Sequence, residues 1–117
     1  MSVPYLGNFA LNAKVYLPWN TNAQDGSAIT YTSTTTGEVV KVYKDGGTTE
    51  RASDAGITVT KDHDSITGTH LVEICTTDDS DAGFFATGHE YQVKKIGMTI
   101  DTKVVNAWLG CFSLGRT

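Results

Sequence analysis

The sequence predicts a single all-β domain spanning residues 1–117, an antiparallel sandwich of seven to eight strands. Three observations predict it. Thr, Val, Ile, Tyr and Phe dominate the vocabulary, while Leu, Glu and Ala are too sparse to build long helices. Turn signals recur at strand-length intervals: Asp25-Gly26, Asp45-Gly46-Gly47, Thr67-Gly68 and Asp81-Ala82-Gly83. Between those turns, apolar and polar residues alternate with the period of two that a half-buried strand requires.

The elements follow in order. In residues 12–20, Ala13, Val15, Leu17 and Trp19 share one face and Lys14 and Tyr16 the other. Pro18 lacks a ladder donor, which places this strand at an edge or ends it there. In residues 27–35, Ile29 and Tyr31 oppose a threonine-rich face, and residues 37–44 put Val40 and Val42 together before the Asp45-Gly46 turn. Residues 51–56 read as a polar connection. Ile57, Val59 and Lys61 alternate with Thr58 and Thr60, and the chain returns through His70, Val72 and Ile74 as the clearest hairpin in the sequence. Residues 76–88 form a long polar crossing. Tyr91 and Val93 open the next strand, and the last arm is expected from Met98 to Leu114 with Trp108, Phe112 and Leu114 in phase.

The crossing ends in a tyrosine that opens a strand, residues 81–91 running from Asp81 to Tyr91. That pattern resembles a tyrosine corner, in which the hydroxyl ties the strand back to the preceding loop. It favours an immunoglobulin-like topology over a barrel.

Size and composition narrow the function. A chain of 117 residues suits one domain with its own core. With 39% hydrophobic and 19% charged residues, it is neither disordered nor membrane-like, and no apolar run approaches a membrane span. The start, Met1-Ser2-Val3-Pro4-Tyr5, shows no secretory signal, which predicts synthesis and folding in a cytoplasm. The net charge of −4 and the small size of the only basic cluster, Lys94-Lys95, argue against a nucleic-acid partner. Cys75 and Cys111 lie far apart with no CxxC spacing. They read as two free thiols, with a disulfide between neighbouring strands as the alternative.

Signatures of chemistry are missing. His63, His70 and His89 form no HxxxH or HExxH pattern, and there is no GxSxG and no phosphate-cradling glycine loop. No cofactor is expected and no enzymatic activity. Calcium is the main small-ion alternative: Asp62 and Asp64 alternate in one loop, and Asp78, Asp79 and Asp81 crowd another. A hard cation needs about six to eight oxygens, and neither loop closes with a glutamate, so solvated hairpin tips are the expectation. Most aromatics belong to a core. Phe84 and Phe85 are adjacent in a crossing and cannot both point inward easily, so one of them, together with Trp19, is a candidate anchor for a partner.

Five segments carry a resemblance: GEVVKVYKDGG at residues 37–47, GITVTKDHD at 56–64, TGTHLVEI at 67–74, AGFFATGHEY at 82–91 and WLGCFSL at 108–114. They are similar to small immunoglobulin-like structural modules of tailed bacteriophages, across residues 7–114. The resemblance implies a non-enzymatic virion part, made in the bacterial host cytoplasm and docked on head surface, head–tail junction or fibre base. Its implied partners are other virion structural proteins, with the chain forming a homo-oligomer or occupying the particle in multiple copies. The chain stops at Thr117 without a stalk, which favours a decoration, cement or adaptor role over a fibre, and Cys75 stands where a polar residue is expected. The alternative is a receptor- or glycan-binding module that stacks sugars on exposed Tyr and Trp.

Overall fold

The computed structural model describes residues 4–34 and 38–115. They form eight strands: β1 Tyr5–Phe9, β2 Lys14–Asn20, β3 Thr32–Ser33, β4 Val39–Lys44, β5 Ile57–Thr60, β6 Thr69–Cys75, β7 His89–Ile100 and β8 Lys103–Leu114. One sheet runs β1-β8-β7, with β4 and β3 sharing the far edge of β7; the other runs β2-β6-β5. This is the strand order of an immunoglobulin-like sandwich. The expected all-β fold is present, and β2 does lie at an edge, where Pro18 disturbs no ladder.

The alternation builds the core. Val15 and Leu17 of β2, with Val72 and Ile74 of β6, face Val42, Tyr91, Val93, Phe112 and Leu114 of the larger sheet. Each such side chain contributes about 1.5–3 kcal/mol on leaving water. Phe9 meets Phe112 edge-on, and Tyr91 stacks on Phe112 at 5.3 Å. β8 is closely approached at Gly110, where a Cβ would meet the Pro4 carbonyl at 3.1 Å and Leu17 of the other sheet at 3.2 Å.

The tyrosine corner is formed. Tyr91 Oη donates to the Phe84 carbonyl at 2.7 Å and accepts from the Ala86 N–H at 2.8 Å. It ties the crossing before β7 to the strand itself, and burial pushes the phenol upward.

Four expectations are corrected. The sandwich is not wholly antiparallel, because β1 pairs parallel to β8. The chain leaves β1 for the other sheet through a turn at Leu11-Asn12, instead of reversing within its own sheet, so β1 lands alongside the final strand. The strand expected over residues 27–35 is reduced to Thr32–Ser33, and Thr35 lies outside the described residues. Its first half is a loop, closed by Ile29 N–H donating to Thr21 and Ala23 N–H to Ser27. Thr36 and Gly37, at the start of the next expected strand, also lie outside the described residues. Met98 belongs to β7, which turns at Asp101-Thr102 with φ of 49° and 66°. That is a two-residue turn with both φ positive and no glycine to announce it. Finally, Trp108 is out of phase with Phe112 and Leu114. Val93 pairs Gly110 while Lys94 pairs Trp108, so Leu109 is an extra residue that reverses the phase.

Candidate interaction surface

The β7–β8 hairpin has twelve residues per strand, and β3 accompanies β7 out to Thr99 on one side. On the outer side of β8, β1 begins its pairing at Tyr5↔Cys111. Along residues 103–109, no strand among the described residues takes that side. The pleat sends Val104, Asn106 and Trp108 outward and Val105, Ala107 and Leu109 inward. Val104 is 63% exposed and Trp108 48% exposed. The inward residues border a groove of about 530 Å³, walled by Pro4, Pro18, Trp19, Met98 and Ile100. The Trp19 indole N–H is buried and has no hydrogen-bond partner among the described residues.

On the outward face, Trp108 meets Tyr43 edge-on at 5.8 Å. The Lys94 ammonium lies 4.5 Å from the Trp108 ring centre and 4.8 Å from that of Tyr43. This cation–π arrangement fixes the indole at the rim of a shallow hollow of about 460 Å³ that also includes Gln92 and Thr48.

The root of the arm is stiffened by buried polar groups. Lys95 is fully buried, donates to the Ile96 carbonyl at 2.9 Å and lies 3.8 Å from Glu38. Burial pulls its ammonium below the usual lysine range. Burial also pulls Glu38 upward, but hydrogen bonds from Ser33 and Tyr31 and the Lys95 charge outweigh it and hold the carboxyl below its ordinary range. His70 accepts the Asp62 N–H at Nδ1, so its proton is on Nε2, 2.8 Å from Thr21 Oγ1. Burial holds this imidazole neutral by pulling it down.

Of the residues expected to act, Trp19 lines the groove, while Phe84 and Phe85 lie away from it. Phe84 and Phe85 are half-buried against the core, each within 5.6 Å of the Tyr91 ring. The two rings sit edge to face, and both are partly buried beneath the crossing. Trp19 packs on His70 at 5.1 Å, is half-buried and lines the groove. The polar connection at 51–56 hides a buried cation: Arg51 donates to the Ser53 and Ala55 carbonyls and to Asp78, with its guanidinium 4.9 Å over Phe85. The acidic loops are committed to the fold. Asp62 accepts from Thr30 and Gly68, Asp78 from Ser80 and Arg51, and Asp81 from Ala52. No three His, Cys, Asp or Glu side chains converge among the described residues. His63 lies exposed in a turn, and His89 pairs with Asp45 at 2.6 Å. Cys75 and Cys111 are unpaired thiols on opposite sheets.

The edge of β8 gave no local signal, since an edge is a property of topology. The absence of any charged residue from Val104 to Gly115 was its only trace in the sequence. No helix among the described residues is long and apolar enough to cross a membrane. No known family, curated protein or solved structure matches the chain.

Proposed function

We propose that the protein is a non-enzymatic immunoglobulin-like module that docks on a larger assembly through the β7–β8 arm. The observation that carries this reading is the arm itself. It joins a strand edge with no charge beyond Lys103, two exposed apolar side chains and an apolar groove on one hairpin. Main-chain pairing supplies affinity at such an edge, and alternate side chains supply selectivity. The finer reading is a bacteriophage virion part, with other capsid, neck or tail proteins as partners and several copies per particle. It is supported by the similarity of five sequence segments to phage modules. Multiple copies on a symmetric shell convert modest contacts into firm attachment. Mass spectrometry and density maps of purified particles test it. The chain should be present at a fixed copy number with its arm against a neighbour; particles lacking it defeat the virion reading.

A second reading is favoured by Trp108, which stands half-exposed beside Gln92 and Thr48 as a sugar-stacking platform does. Calorimetric titration with a glycan panel tests it. Saturable heat that disappears in Trp108→Ala would move the assignment to a glycan-binding module.

A further inference from the structure

We infer that the protein forms a two-fold dimer by antiparallel pairing of residues 103–109 of β8 with the same residues of a second copy. The inference rests on the reading that the arm is the docking element and names its partner. It begins with how the strand edges are treated. An exposed edge is a template for another strand, and soluble proteins guard edges with lysine, proline, brevity or cover. The edge strand β2 carries Lys14 and Pro18. The outer side of β4 carries Lys41 and Lys44, and its Val42 carbonyl is taken by the Arg51 N–H. The edge strand β5 has four residues and gives way to Lys61. β1 has five residues and a break in register between Tyr5 and Asn8. Among the described residues, only β8 leaves a run this long without a neighbouring strand, residues 103–109, with Lys103 at one extreme and no other charge.

The pattern of those residues selects a second copy. Pairing about Asn106 sets Val104 opposite Trp108 and Val105 opposite Ala107, with Lys103 opposite Leu109. Outward residues then meet outward residues, and inward meet inward, as the pleat demands. No two like charges face each other. The two exposed apolar side chains of each copy cover those of the other, two cross-strand Val–Trp pairs generated by one symmetry axis. The ladder ends where Pro4 and β1 take over the edge, since Cys111 N–H already donates to Pro4.

The register makes a charge-swap test specific. Sedimentation equilibrium of the purified protein should show a monomer–dimer equilibrium. V104K/W108K places lysine opposite lysine at both pairs, and its dimer should be weaker by about tenfold or more. V104E/W108K places glutamate opposite lysine and should restore association, with affinity that falls as salt is raised. Thermal melts establish that both variants fold. A wild-type protein that stays monomeric to its solubility limit overturns the inference, as does a dimer unaffected by V104K/W108K or equally weakened by both double variants. Attachment of a monomeric wild type to particles through the arm would leave the docking reading standing while sinking the dimer.

Discussion

Lys95 Nζ lies 3.8 Å from a Glu38 carboxylate oxygen, and the lysine is entirely withdrawn from solvent. Removing one partner of a buried pair strands the other, and breaking such pairs costs about 3–5 kcal/mol where both are deep. Glu38 keeps some water contact, so Glu38→Ala should cost about 2 kcal/mol in urea denaturation. The double variant E38Q/K95M should recover most of that loss, because no charge remains to be desolvated.

Tyr91→Phe keeps the ring stack on Phe112 and deletes the corner. The Phe84 carbonyl and Ala86 N–H then lose their partner, a loss of about 1–3 kcal/mol. Equilibrium unfolding should show a lower midpoint with an unchanged slope on denaturant, and proteolysis should gain sites within residues 76–88.

His70 predicts a pH dependence whose sign is fixed by its burial. Its folded pKa lies below the ordinary value of 6.5, so the unfolded chain binds the proton first. Stability is therefore complete above about pH 6.5 and falls as pH drops from there to the folded pKa, by up to about 1.4 kcal/mol per unit. Part of the loss is offset by Asp62, 3.9 Å away. His70→Gln should remove this segment of the profile in pH-dependent melts. The losses from Glu38, Asp62 and Asp78, whose folded pKa values are depressed, come at more acid pH, as pH falls through those values.

Thr102 holds φ of 66° in the hairpin turn, a left-handed conformation that costs a β-branched residue energy. Thr102→Gly relieves that strain at some entropic cost in the unfolded chain. The net expectation is a stabilisation of about 0.5–1 kcal/mol, read as a raised melting temperature.

Arg51→Lys tests the crossing at the opposite end. Lysine cannot reproduce the planar fork that serves Ser53, Ala55 and Asp78 together. A loss of about 2 kcal/mol is expected by denaturation, well above that of an exposed arginine.

The fold was legible wherever alternation ran unbroken. Val15 and Leu17, then His70, Val72 and Ile74, follow the period of two and are buried as it requires. Tyr91 was legible because the corner is a local motif. Trp108 was misread because one extra residue at Leu109 inverts the phase, and no glycine or proline at that residue marks the inversion. Lys95 and Arg51 escaped for a different reason. Lys94-Lys95 read only as a small basic cluster and residues 51–56 as a polar connection, since nothing local shows that a charged side chain is buried until its partners are known. Those partners, Glu38 and Asp78, lie 57 and 27 residues away. The arm's free edge was invisible for the same reason, because it depends on where β1 stops.

Where β1 stops depends in turn on an atom that is missing. Gly110 lets the Pro4 carbonyl settle against β8 one step before Cys111, where a Cβ would make a tight 3.1 Å contact. A methyl group there would press on that carbonyl and on Leu17, so one of them would have to give by a few tenths of an ångström. Among the described residues, this glycine thus stands at the boundary between the part of the final strand that β1 covers and the part that no strand covers.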